Sequence, residues 1–307
     1  MQNLLPVLKN GWVRRSLTRF VKETPALRYI RLLQPETRLW GRERGALPSF
    51  LIIGAQRSGS TFLHDHLVAS TSAQCSPLQK EVHYFDNKYY KSLDWYARFF
   101  ESTSEQDETV KTFETSPGYL YNPAAPERIE QSLPSVKVVA VLRDPVERAL
   151  SQYRWMRQVG LETRGATEAF RYDVRRLDLE EDPAYLERFK DPLYFNFDRF
   201  HRGYIRRSLY HLQFRRWLQH LHPSRFRVID SNKLFSNTHE VVQVLSSFLG
   251  IEYYRYKNRI GINKNSSSKG IVVPKKAREI AGHYLRGVKS KTISLLSDEV
   301  VIGKSLM

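Results

Sequence analysis

The chain has 307 residues, 41% of them hydrophobic and 12% aromatic, which is enough for a sizeable core and excludes a disordered or fibrous class. Its formal net charge of +17 points to an anionic partner: a nucleotide, an acidic polysaccharide, a nucleic acid or an acidic membrane surface. The single cysteine, Cys75, excludes an intrachain disulfide and a cysteine-rich metal site, and fits a reducing, cytoplasmic setting.

No apolar run approaches the roughly 18 residues of a membrane span. Nor is the start, MQNLLPVLKNGWVRRSLTRF, a signal peptide, because Pro6 interrupts its one short apolar block. Residues 1–48 are basic and helix-like, punctuated by Pro25, Pro35 and Pro48, and are expected to extend a main domain over 49–307. Leu17, Phe20 and Val21 have i, i+3, i+4 spacing, with Arg15 and Arg19 opposite. Such a face suits packing on the domain or peripheral contact with a membrane surface.

From residue 50 onward, strand and helix patterns alternate. An apolar run predicts a strand over 50–53, and a helix follows over 60–70. A shorter strand is expected over 109–114. The run VKVVAVL at 136–142 is the strongest strand candidate, and Pro145 opens a helix reaching about residue 159. A long helix is expected over 204–221, a strand over 226–230, and an amphipathic helix over 240–249 that stops at Gly250. Residues 160–200 are rich in charge and have the look of an insertion. This alternation predicts an α/β fold with three P-loop-like layers, α/β/α, around a central parallel sheet.

The segment GAQRSGST, Gly54 to Thr61, joins the first strand to its helix. A strand ending in a tight loop that opens a helix binds anions, because amides and the helix dipole point into it. Gly54 and Gly59 allow the turn; Ser60 and Thr61 add hydroxyl donors. The loop resembles G-x-x-x-x-G-K-[ST], but Ser60 fills the lysine slot and the cation, Arg57, stands three residues earlier. VKVVAVL runs into Arg143 before Asp144, so no convincing magnesium carboxylate follows it. A nucleoside triphosphate held with magnesium is therefore not expected. Arg143 at the end of the strong strand and Ser151 two turns into the next helix can together serve one phosphate. The segment Asn265-Ser266-Ser267-Ser268-Lys269-Gly270 suits folding over a bound anion.

These motifs, with KEVHYFD, SLDWYARFF, LRDPVERALSQY, SLYHLQFRRWL and SSKG in this order, resemble the sulfotransferases that use 3′-phosphoadenosine 5′-phosphosulfate (PAPS). The chain is most similar to the heparan sulfate 3-O- and N-sulfotransferase branch, over about residues 50–285. The resemblance implies that the loop holds the 5′-phosphosulfate, with Arg57 at the bridging region and Ser58, Gly59, Ser60 and Thr61 at the phosphate. It implies Arg143 and Ser151 at the 3′-phosphate, and Lys269 and Gly270 in a late loop closing on the nucleotide. It places the catalytic base at Glu81, with neutral His83 as the other candidate. Burial beside the acceptor is expected to raise the pKa of Glu81 toward working pH. No metal is required. The acceptor implied is a hydroxyl or amine of a carbohydrate, acidic or neutral, with some of Trp95, Tyr96, Phe99 and Phe100 bordering its cleft. Animal members of this branch sit behind an N-terminal membrane anchor; this chain shows none, so a soluble enzyme is expected.

One position departs from the family pattern. Glu114-Thr115-Ser116-Pro117 carries Thr115 where the family usually has a lysine near the transferred group. Lys80 and Arg154 are candidate replacements. Two other readings compete: an atypical nucleotide kinase, and a basic polyanion- or nucleic-acid-binding protein. The first lacks the Walker lysine, and the second lacks any recognised RNA- or DNA-binding signature. His64 and His66 stand at i and i+2 on a helix and so cannot share a metal.

Overall fold

The β-branched runs become strands of one sheet. The structure, a computed structural model, describes residue 39 and residues 41–101, 111–254, 270–296 and 300–302. Among these, the strands are β1 (Phe50–Gly54), β2 (Gln74–Cys75), β3 (Thr112–Thr115), β4 (Lys137–Leu142), β5 (Phe226–Asp230) and β6 (Val301–Ile302). Their order is β2-β3-β1-β4-β5-β6, and every neighbouring pair is parallel. Parallel strands need crossovers, supplied here largely by helices. The first are α1 (Ser60–Ser70), α2 (Tyr84–Asn87), α3 (Leu93–Ala97), α4 (Ala125–Ser132) and α5 (Pro145–Gln158). Then come α6 (Ala166–Val174), α7 (Pro183–Glu187), α8 (Phe197–Arg202), α9 (Tyr210–Trp217), α10 (Ser231–Ser236) and α11 (Thr238–Leu249). Helices α12 (Lys275–Tyr284) and α13 (Val288–Leu295) precede β6. All of this lies in one compact unit, 44–307. The amphipathic stretch around Leu17, Phe20 and Val21 lies outside the described residues. No helix among the described residues is long and apolar enough to cross a membrane.

Both faces of the sheet are covered. Phe50, Ile52, Phe113, Val139, Val141 and Ile229 pack with Leu63 and Leu67 of α1, Leu234 of α10 and Val241, Val242, Leu245 and Leu249 of α11. The alternate residues Leu51, Ile53, Val138, Ala140 and Val228 are buried as well. Near-continuous apolar strands are what a doubly covered parallel sheet requires. The three-layer α/β/α architecture expected from the sequence is therefore the one observed.

Local signals set the helix ends. Asp144 accepts a hydrogen bond from the Glu147 amide at 2.9 Å, and Pro145 follows it at the first helical position of α5. Gly250, with φ 72°, closes α11 in the left-handed conformation. The strand expected over 109–114 is observed as β3, and residues 102–110 are not described.

The long helix expected over 204–221 is not formed. Only α9 is α-helical there, preceded by a 3-10 turn at Arg206–Ser208. The break falls at Leu209, whose φ of -79° and ψ of 63° lie outside the helical region between the 3-10 turn and α9. Asp173 Oδ2 takes the amides of Ile205 at 2.6 Å and Arg206 at 3.1 Å, capping the turn before it. The charge-rich stretch 160–200 is likewise an ordered part of the fold. It contains α6, α7 and most of α8, and buries its charges in pairs such as Arg199–Glu180 at 2.5 Å and Arg206–Asp173 at 2.6 Å.

Candidate active site

β1 lies between β3 and β4, so the chain leaves β1 toward one edge of the sheet and leaves β4 toward the other. Open α/β sheets bind ligands outside the carboxyl ends of the strands where this reversal occurs. The loop after β1 and Arg143 after β4 both stand there.

The loop turns sharply. Arg57 has φ 71° and Gly59 has φ 110°. At Gly59 a Cβ would be strained by that angle and would meet the Phe235 ring at 3.1 Å, so glycine is required. Gly59 is also the N-cap of α1, and no side chain caps that end. The first-turn amides of α1 therefore remain available to a ligand. Ser58 is buried and its Oγ has no hydrogen-bond partner of good geometry among the described residues. The neighbouring Tyr210 hydroxyl donates instead to the Arg143 carbonyl at 3.1 Å. An orphaned hydroxyl, open amides and a glycine cradle fit an anion.

Arg57 Nε donates to Ser151 Oγ at 3.3 Å, and its guanidinium stands 5.1 Å from the Trp155 ring centroid. Two segments 94 positions apart in sequence thus meet. Burial, and then repulsion from Arg143, push the Arg57 pKa down. Neither arginine side chain is paired with a carboxylate among the described residues. Two repelling cations at one strand edge form a site that awaits negative charge.

A third cation joins them. Lys80 Nζ donates to Thr61 Oγ1 at 2.6 Å and lies 3.4 Å from Glu81 Oε1. Lys80 brings to the loop the ammonium that the loop itself lacks. Thr115 is fully buried, and its hydroxyl is bonded to His64 Nδ1 at 2.9 Å. Burial, then the Lys80 charge, bring the His64 pKa down to about 4, so that ring is neutral. His66 Nδ1 is bonded to the Phe62 carbonyl at 2.8 Å, so the two histidines have different partners.

Glu81 and His83 lie on the stretch leading into α2. His83 Nδ1 is 2.9 Å from Asp86 Oδ2, and His83 Nε2 is 3.4 Å from Glu81 Oε2. Both ring nitrogens face carboxylates, so the ring is held as an imidazolium. Burial opposes that charge. The Asp86 charge and hydrogen bond, followed by Glu81, overcome it and raise the His83 pKa to about 10. Burial also pushes the Glu81 pKa up, but hydrogen bonding and charge from His83, then Lys80, bring it down to about 2. The raised Glu81 pKa and the neutral His83 expected from sequence are both reversed, because each group faces opposite charge from its near neighbours Lys80 and Asp86 and from the other. The Glu81 side chain is 40% exposed, so water screens its contacts.

Behind this pair sits Glu114, a residue to which the sequence reading gave no role. It is buried at the end of β3. Its Oε1 accepts the amides of Val82 at 3.0 Å and His83 at 3.2 Å and the Ser116 hydroxyl at 2.5 Å; Tyr119 bonds both oxygens. Tyr96 donates to Oε2 at 2.5 Å. Burial raises the Glu114 pKa against these donors. Its place is positional: it fixes the backbone that carries Glu81 and His83. Gly118 lets Asp86 approach, since a Cβ there would stand 2.4 Å from Asp86 Oδ2. Arg207 was also missed. It donates to the Gln56 side chain within the loop. The only sequence signals for these residues were the Asp three positions after His83 and the acid before Thr115.

Among the other expected site residues, Ser60 and Thr61 open α1. Arg154 is half-buried on α5, and no hydrogen bond or ion pair ties it to the loop among the described residues. Gly270 is exposed with φ 110°, and Lys269 lies outside the described residues. Of the cleft aromatics, Tyr96, Phe99 and Phe100 are buried in the core.

Comparison with known proteins bears on this geometry. The sulfotransferase domain family matches residues 47–269. The chain is 30% identical over 234 residues to human bifunctional heparan sulfate N-deacetylase/N-sulfotransferase 3, an alignment covering 72% of this chain and 25% of that protein. It is 37% identical over 109 residues to membrane-associated sulfotransferase kil1 of Dictyostelium discoideum, covering 36% of this chain and 23% of that protein. The chain thus spans about a quarter of the length of the curated relatives it matches. The solved sulfotransferase from Alicyclobacillus acidocaldarius superposes with a TM-score of 0.60 at 22% identity, covering 82% of this chain and 96% of that one. That likeness is one of fold.

Proposed function

The chain belongs to the sulfotransferase domain family and is a sulfuryl-transferring enzyme, and from that premise we propose that its donor is PAPS and its acceptor a carbohydrate hydroxyl or amine. The observation that carries this reading is the Arg57–Ser151 hydrogen bond. It joins the strand-loop-helix anion cradle to the Arg143/Ser151 pair, as a donor with two separate phosphates requires.

When bound, PAPS supplies the activated sulfuryl group. The chain does the rest. Arg57, Lys80 and the amides of α1 neutralise charge on the departing phosphate, in the manner of an oxyanion hole. Ser58, Ser60 and Thr61 orient it. Arg143 and Ser151 hold the 3′-phosphate and fix the nucleotide's register. Glu81 takes the acceptor proton at a carboxylate oxygen. A strongly ionised carboxylate suffices, because an acceptor oxygen bonding to sulfur becomes far more acidic than the free alcohol. The His83 imidazolium, held by Asp86, keeps Glu81 charged and aimed. Lys80 takes the place of the family lysine absent at Thr115.

The test is transfer of labelled sulfate from PAPS to a panel of glycans. Glu81→Gln is expected to lower turnover by about 10²- to 10⁴-fold without weakening nucleotide binding. Lys80→Ala is expected to lower turnover as well; an unchanged rate would remove Lys80 from the mechanism. Magnesium-dependent ATP turnover in place of sulfate transfer would defeat the whole reading.

A further inference from the structure

The loop between α7 and α8 holds apolar side chains out in water. Leu193 is 74% exposed and Phe195 43%. Their backbone is tied down. Asp191 Oδ1 accepts the Leu193 amide at 2.9 Å, the Asp191 carbonyl accepts the Tyr194 amide at 3.1 Å, and Asn196 Oδ1 accepts the Arg199 amide at 2.9 Å as α8 begins. Tyr194, between the two exposed residues, packs edge-on against buried Phe189 with centroids 5.0 Å apart. An ordered loop thus displays Leu193 and Phe195, and apolar surface kept in water at a fixed place marks a contact site.

The loop leads to the reacting groups. The Phe195 ring is 5.4 Å from Phe200 between centroids, and Phe200 stands edge-on to His83 at 5.6 Å. His83 Nε2 in turn is 3.4 Å from Glu81 Oε2. A line of rings therefore starts beside the carboxylate proposed as base and ends in solvent. The polar side chains of the same segment are spent inside the protein: Asn196 on the Arg199 amide, and Asp198 on the Tyr172 hydroxyl at 2.7 Å and Arg202 at 3.1 Å. What the segment offers a ligand is apolar area. Leu193, its most exposed apolar member, has no ring face for a sugar to stack on, so the complement of this surface is hydrocarbon.

We propose that Leu193, Phe195 and Phe200 form an apolar track for the aglycone of the acceptor. The acceptor is then an amphiphilic glycoside: its sugar head meets Glu81, and its alkyl or acyl chain lies along the rings toward Leu193. The proposal rests on the sulfotransferase reading and narrows its acceptor from carbohydrates at large to those carrying a hydrocarbon chain.

The experiment is calorimetric titration of the protein, saturated with 3′-phosphoadenosine 5′-phosphate (PAP), with butyl, hexyl and octyl β-D-glucosides, each below its micelle concentration. Affinity should rise about two- to fourfold per added methylene, so that octyl exceeds butyl by at least about tenfold. Leu193→Ser/Phe195→Ser should bring that ratio below about threefold while PAP affinity stays within about twofold. Both side chains are exposed, so the fold does not depend on them. Val244→Ser, which removes an exposed apolar side chain from α11, should leave the ratio unchanged. A flat series in the wild type, a ratio that survives the double substitution, or one that falls equally in Val244→Ser would overturn the proposal. So would loss of PAP affinity in the double variant, which would assign the loop to the donor side. A flat series would also be overturning if the double substitution abolished binding to phosphatidylcholine vesicles or split a dimer in sedimentation; the loop would then serve a membrane or a second copy. If PAP fails to bind the wild type, the donor reading falls and this proposal with it; if PAP binds and chain length has no effect, only this proposal falls.

Discussion

Around the loop, Arg57 and Arg143 face each other and no carboxylate, whereas in the charged segment Arg199 and Arg206 each close on one. Both regions are basic, and composition alone treats them alike. The difference lies in the partners. The Arg199–Glu180 pair and its neighbours Arg206 and Arg216 form a buried network whose charges are paired without any ligand. Among the described residues, Arg57 has only the Ser151 hydroxyl and the Trp155 ring face. Charges already paired serve the fold, and charges left unpaired at a strand edge serve function.

Substitutions should separate the two regions. Arg199→Ala removes the closest cation from buried Glu180, leaving it Arg206, Arg216 and the Tyr121 hydroxyl, and is expected to cost about 3 kcal/mol of stability in a urea titration, while folded protein keeps its PAP affinity. Unchanged stability there would dissolve the contrast. Arg143→Ala should do the opposite. It should weaken PAP by the equivalent of about 1.5–3 kcal/mol, leave ADP binding unaffected, and keep or slightly raise the melting temperature as repulsion on Arg57 is relieved. A lowered melting temperature with PAP affinity intact would place Arg143 among the structural arginines.

Gly118→Ala tests the seam between the regions. Its Cβ would press on Asp86 Oδ2, and overpacking of this kind costs about 1–3 kcal/mol. Turnover should fall with it as Asp86 is pushed off His83; wild-type turnover would show that the Asp86–His83 contact is not needed. A further prediction concerns pH. The His83 pKa is raised from 6.5 to about 10, so its contribution to stability is full below pH 6.5 and is lost as pH climbs through 10. His83→Gln should therefore be most destabilised, relative to the wild type, below pH 6.5, with the difference vanishing above pH 10. Glu81, lowered from 4.5 to about 2, has the reverse sign: its contribution is present above pH 4.5 and is lost as pH falls through 2. A stability difference for His83→Gln that does not change with pH would mean that the ring is not held as an imidazolium.

Much of the fold was legible because it is written locally. β1, β4 and β5 are apolar runs, Pro145 and Gly250 mark helix ends, and the glycine-containing loop sits between a strand and a helix. The loop after β1 and the Arg143–Ser151 segment were legible for the same reason, since their motifs are contiguous. What failed was non-local. The helix over 204–221 is interrupted at Leu209, and its first turn is tied to Asp173, more than thirty positions away. The ionisation of Glu81 and His83 was set by Lys80 and Asp86 in three dimensions. Glu114 stands in a family segment that does not reveal its role, which comes from its burial and its partners. Residues 160–200 had the look of an insertion because pairing of their charges cannot be seen in composition.

The central claim is that the loop and the Arg143/Ser151 pair form one site for a nucleotide with a 3′-phosphate. Metal-free calorimetric titration with PAP, against ADP and magnesium-ATP, tests it most directly. The account predicts micromolar or tighter binding of PAP, much weaker binding of ADP, and loss of that discrimination in Arg143→Ala. Binding of ATP with no preference for the 3′-phosphate would contradict it.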